Sequence, residues 1–203
     1  MNQDRPWAGL IDAWFGETLD DPSAIPQRMG WWFSADEGRD VQLAERFGEL
    51  VEQCASGRYY RWLDDPEGRL ALTLALDQLP RNLFRGTPRA FAYDAWTTAW
   101  CLATAHTGQD QALKPIQRAF LYMPLQHMED LQAQQAGVAL YERLAEDTAP
   151  LKYYREGFLP YARQHLEIIA CFGRFPHRNQ VLDRINTPEE EEYLAGGAPT
   201  FGQ

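Results

Sequence analysis

The amino-acid sequence predicts an all-α protein of about eight helices with short connections. Three observations lead there. Apolar residues recur at helical spacing almost throughout the 203 residues. Alternating polar and apolar runs are absent, and so are hairpin dipeptides between such runs. Proline, alone or as Thr-Pro, opens several of the periodic stretches, and proline suits the first helical turn.

Trp7, Leu10, Ile11, Trp14 and Phe15 form the apolar stripe of a first amphipathic helix. The region DDPSAIPQRMGWWFSADEG carries two prolines and two glycines and reads as a loop, anchored by Trp31, Trp32 and Phe33. A second helix is expected over 39–54, with Val41, Ala44, Phe47, Leu50, Val51 and Cys54 on its inner face. A third starts near Pro66, carries LALTLAL and meets Pro80. Thr87-Pro88 opens a fourth, which stops at Gly108. A fifth covers about 110–122, and a sixth runs from Pro124 to Ala145. A seventh, 150–172, carries Tyr154, Phe158, Tyr161, His165, Ile168, Ile169 and Phe172. Thr187-Pro188 opens a short last helix, with Glu190 placed for a capping box and EEEE in the first turn. Without linker or low-complexity segment, residues 1–203 read as one domain.

Composition excludes several functions. The net charge of -10 repels phosphate backbones and anionic membranes, so neither nucleic acid nor membrane is an expected partner. The start MNQDRPWAGLIDAWFGE lacks the basic and apolar regions of a secretory signal. The expected location is the cytoplasm. Cys54, Cys101 and Cys171 fit no zinc or redox spacing and are expected as buried thiols. No cofactor or metal is implied, and oligomeric state is not legible.

Chemistry-bearing residues fall into four groups. Asp77, Gln78, Arg81, Asn82 and Arg85 form the first. Asp94 stands alone in an aromatic helix and needs a cationic partner, with Arg81 or Arg85 the natural ones. His127, Glu129, Asp130 and Gln134 form the third, with His127, Asp130 and Gln134 at spacings that share a helical face. His165, Arg174, His177, Arg178 and Asn179 form the fourth. HExxH, GxSxG and P-loop patterns are absent.

LPRNLFRGTPRAF and FPHRNQVLDRINTPEE echo each other: proline, Arg-Asn, a further arginine, then Thr-Pro. Duplication and independent re-use of good helix stops both explain this. Gly173 suits a left-handed helix cap, and Arg174 suits the helix dipole. A cap alone does not account for the donors in PHRN.

LALTLALDQLPRNLFRGTPRAFAYD, FLYMPLQHMEDLQAQ and HLEIIACFGRFPHRNQVLDRINTPEEEEYL resemble the family called domain of unknown function 924, as does the early AWFGE. The resemblance spans nearly the whole chain. It implies a tetratricopeptide-like array of antiparallel helix pairs around a concave face. Its motif positions include the residues of the four groups other than Gln134, together with Gly173 and Pro176, and it implies no reaction.

The functional expectation is a helical binding domain. Arg81, Arg85, Arg174, His177 and Arg178 would line a cleft for a small anionic ligand or a carboxylate-bearing peptide. The rival is an enzyme, a hydrolase or transferase on an anionic substrate. There His127 or His177 would be the general base, oriented by Asp130 or Glu129. A third reading is a structural ion-pair network with no ligand.

Overall fold

A computed structural model describes residues 5–202. Every regular element among them is helical. α1 (Ala8–Phe15) buries Leu10, Ile11, Trp14 and Phe15 and ends at Gly16, whose φ of 54° suits a residue without Cβ. The expected loop after it contains a helix, α2 (Ile25–Phe33). Its prolines precede or open the helix, where no N–H is needed, and Ile25 and Trp32 face the core. Burial of that spacing outweighs the glycine at position 30.

α3 (Glu37–Ala55) starts at Asp36, whose side chain accepts from the Arg39 N–H at 2.9 Å. Leu43, Phe47, Val51 and Cys54 are buried on it. Val41 is not on the inner face as expected, and is 57% exposed. α4 (Pro66–Thr73) is capped by Asp65 and runs into a π-turn, Leu74–Gln78, then α5 (Leu79–Leu83). Pro80 explains the π-turn. It lacks an N–H and its ring crowds the carbonyl four residues back, and a widened turn relieves both. A second π-turn, Tyr154–Phe158, precedes Pro160 for the same reason.

Thr87-Pro88 opens only a 3-10 turn, Pro88–Phe91, and α6 (Asp94–His106) follows. α7 (Pro115–His127) passes straight through Pro124, which does not begin a helix as expected. Every residue from Ile116 to Gln126 is buried, so packing holds the helix despite the proline. α8 (Leu131–Asp147) begins after a short turn, with Asp130 as its N-cap. α9 (Leu159–Phe172) ends at Gly173, which has φ 69° and donates its N–H to the Ile169 carbonyl at 2.8 Å. A 3-10 turn, Pro176–Arg178, leads to α10 (Pro188–Ala195) and its Thr187/Glu190 capping box.

α4 and α7 are buried on nearly all sides and form the centre. Phe120 of α7 packs edge-on against Trp14, Phe15, Trp32 and Phe158. A smaller cluster, Ile168, Ile169 and Phe175, holds Phe172, Tyr193 and Phe201. Cys54 and Cys101 are buried, but Cys171 is exposed, contrary to expectation, because it lies on the outer side of α9. No helix among the described residues is long and apolar enough to cross a membrane.

Candidate functional site

The π-turn places Asp77 at zero exposure, facing the C-terminal end of α7. There His127 Nδ1 lies 2.8 Å from Asp77 Oδ1 and 3.1 Å from Oδ2. A carboxylate only accepts, so Nδ1 carries the proton and Nε2 is the bare acceptor. Gln78 Nε2 donates to Asp77 Oδ2 at 2.6 Å, and Arg81 Nη1 sits 3.3 Å from Oδ1. Burial would raise the Asp77 pKa, but Arg81 and His127 outweigh it and hold the carboxyl below its usual range. Burial, then the Arg81 charge, lower the His127 pKa against the pull of Asp77, so the ring is neutral near pH 7.

Asp94 has the cationic partner its position requires. Arg81 Nη2 lies 2.9 Å from both carboxylate oxygens, a forked ion pair. Arg178 Nη1 approaches Asp94 Oδ2 at 3.6 Å and donates to the His127 carbonyl at 3.0 Å. The two echoed arginines therefore meet at one carboxylate. Their helix ends differ, however: LPRN continues a helix as α5, whereas FPHRN begins a 3-10 turn. Arg178 lies between the rings of Phe91 and Phe175, 4.4 Å from each centroid.

A cavity of about 580 Å³ opens beside this network. Gln78, Arg81, Asn82, Arg85, His127 and His165 line it, six of the expected site residues. His165 Nδ1 donates to the Tyr161 carbonyl at 2.7 Å, which leaves its Nε2 bare. Burial, then the nearby His127, push the His165 pKa down to about 3. Gln126 lines the same cavity, and its buried Oε1 has no partner among the described residues. The opposite wall is apolar, from Met29, Trp32, Phe33, Met123 and Phe158.

The other expected site residues lie outside the lining. Asp77 and Asp94 stand behind it as partners of His127 and Arg81. Glu129 does not orient His127; it accepts from the Phe175 N–H at 2.8 Å and pairs with Arg184 at 2.6 Å. Nor does Asp130, whose Oδ1 accepts from the Ala133 N–H at 2.8 Å as a helix cap. The turn before α8 breaks the face that His127, Asp130 and Gln134 were expected to share. Gln134 instead donates to the Gln126 and Met128 carbonyls, satisfying the end of α7.

Arg174 and Asn179 do not wall a cleft. Both hold Glu190 of α10, Arg174 at 2.6 Å and Asn179 at 3.0 Å. His177 is packed against Phe175 with its Nδ1 unpartnered among the described residues, and burial, then Arg178, push its pKa down to about 4. Carboxylates brought from other helices thus occupy Arg81, Arg174 and Arg178, three of the donors that the sequence offered to a ligand. Asn82 and Arg85 share Asp40 of α3, at 2.8 and 2.9 Å.

Sequence reasoning missed Asp40, Gln126 and the segment Pro199–Gly202, which also lines the cavity. Asp40 and Gln126 lie on helices as ordinary polar residues, and their roles depend on which helix packs opposite. An aromatic residue in a Gly/Pro-rich stretch was the one available sign of Phe201.

Known proteins place the chain as follows. The family model described as "Bacterial protein of unknown function (DUF924)" matches residues 10–198. The solved structure of a protein of unknown function from Agrobacterium tumefaciens is similar at 36% sequence identity and TM-score 0.78. The similarity covers 94% of this chain and 97% of that one. No curated protein matches significantly.

Proposed function

The chain belongs to this bacterial family, and on that premise we propose that the cavity is an active site in which His127 is the general base. The observation that carries the reading is the Asp77–His127 pair, with Nδ1 tied to a buried carboxylate and Nε2 left bare on a ring that lines the cavity. Asp77 fixes the tautomer and stabilises the imidazolium that forms when Nε2 takes a proton. The substrate would lay an apolar part against Trp32, Phe33 and Phe158 and present an O–H or N–H, or an attacking water, to His127. This is hydrolase or transferase chemistry, the rival reading of the sequence. It gains over anion binding because Arg81 already spends its charge on Asp94 and Asp77.

The test is turnover of a panel of small esters and amides by the native protein and by His127→Gln. The native protein should turn over a member of the panel, and the variant should lose ~10²–10⁴-fold. Equal rates, or no turnover on any member, defeat the reading.

Anion or carboxylate binding without chemistry keeps one favourable observation. Arg85 lines the cavity, and Arg39 and Arg85 share the carboxylate of Asp40, which leaves one positive charge in excess among the described residues. Under this reading acetate, phosphate or a carboxylate peptide raises the melting temperature, and Arg85→Met abolishes the rise.

A further inference from the structure

Pro199, Phe201 and Gly202 line the cavity, and the last two touch its functional groups. The Phe201 ring stacks on His165, with centroids 3.8 Å apart and planes 29° apart. It meets His177 edge-on at 5.6 Å and rests on the cluster of Ile168, Ile169 and Phe175. The Gly202 carbonyl accepts a hydrogen bond from Arg85 Nη1. Phe201 has φ 52° and Gly202 has φ 76°. The left-handed region is unfavourable for a bulky L-residue, and such a conformation persists only where surrounding contacts enforce it. Here the enforcing contacts are to His165 and Arg85, both of which line the cavity.

We infer that residues 199–202 are an internal stand-in for the ligand of this cavity, and that the ligand is an N-acylated dipeptide acid, an aromatic residue followed by a small one whose carboxylate ends the unit. The inference rests on the proposed active site and names its substrate class. The stand-in shows the two features that the cavity holds at once: an aromatic ring on His165 and, one residue on, a carbonyl on Arg85. A free ligand of this kind presents a ring, a carboxylate and an amide N–H. The carboxylate takes the place of the Gly202 carbonyl and improves on it, because Arg85 is charged. The amide N–H answers Gln126 Oε1, which lacks a donor among the described residues, and leaves His127 Nε2 open for the reacting proton. The segment is also easily displaced. Its Arg85–Gly202 bond is the one hydrogen bond it makes among the described residues, and a stretch with few bonds opens at low cost.

An intramolecular competitor lowers apparent affinity by the fraction of time it occupies the site. Titration calorimetry with N-acetyl-phenylalanyl-glycine therefore tests the inference on the native chain, Phe201→Ala and a chain ending at Ala198. Both altered chains should bind at least tenfold more tightly than the native one. N-acetyl-alanyl-glycine should show no such gain, and adding Arg85→Met should abolish it. Unchanged affinity across the three chains, or no binding to any, overturns the inference. Circular dichroism confirms that each chain is folded. Turnover of the ester and amide panel is measured on the same samples. His127-dependent turnover that N-acetyl-phenylalanyl-glycine fails to inhibit leaves the active site standing and removes only this ligand class.

Discussion

Asp77 and His127 stand fifty positions apart in the chain, and their side chains meet at 2.8 Å. The contact exists because the π-turn before Pro80 delivers a carboxylate to the end of α7 at zero exposure. In the native protein, ¹⁵N resonances of His127 near pH 7 should report a protonated Nδ1 and an unprotonated Nε2. The opposite tautomer would remove the base from the cavity side. Asp77→Asn removes a buried charge and leaves the His127 and Arg81 donors short of a carboxylate, so urea unfolding should show a loss of ~3–5 kcal/mol.

Arg178 separates two roles by stability. It is 5% exposed, lies between two aromatic rings and pairs with Asp94. Arg178→Ala should therefore destabilise by ~3–5 kcal/mol, through lost stacking and an under-compensated carboxylate. A ligand-gripping arginine would leave denaturation nearly unchanged. Arg178→Met should recover part of the loss, because its side chain still fills the slot between the rings.

Acid should weaken the fold through His165. Burial holds its folded pKa near 3, below the ordinary value of 6.5. Above pH 6.5 both folded and unfolded forms are neutral, and the group contributes nothing. As pH falls below 6.5 the unfolded form binds a proton that the folded form refuses, so stability declines until about pH 3. Two pH units of this difference amount to at most ~2–3 kcal/mol. His177, with a folded pKa of about 4, acts in the same direction. Denaturation at pH 7 and pH 4.5 should show a smaller acid loss in His165→Gln than in the native protein. An equal loss would assign the acid sensitivity elsewhere.

The three cysteines should divide by access. Cys171 is exposed, whereas Cys54 and Cys101 are buried and burial raises the pKa of both thiols. A disulfide-exchange reagent should titrate one thiol quickly in the native protein, and all three after denaturation. Rapid reaction of a second thiol would mean that the core opens at Cys54 or Cys101.

The sequence by itself determined the helical class and several caps, and it pointed to six of the residues that line the cavity. Apolar spacing is a local property, and so are Asp65 and Thr187 beside the N–H groups that they cap and Gly173 in its left-handed turn. Pro80 and Pro160 each announce a disturbed turn, but whether the chain breaks or widens depends on how much surface the helix buries, and here both stretches widen. The helix in the proline-rich region and the passage of α7 through Pro124 were decided in the same way, by burial overriding local preference. Pairing was beyond the sequence altogether. Arg81, Arg174 and Arg178 looked alike as donors, and only the packing of α6, α9 and α10 settled that Asp94 and Glu190 would take them. His127 looked ready for Asp130, three residues past the end of its helix, yet its partner arrived from a π-turn fifty residues away. A charged group folded into low dielectric must find an opposite charge, and which one it finds depends on the packing of whole helices.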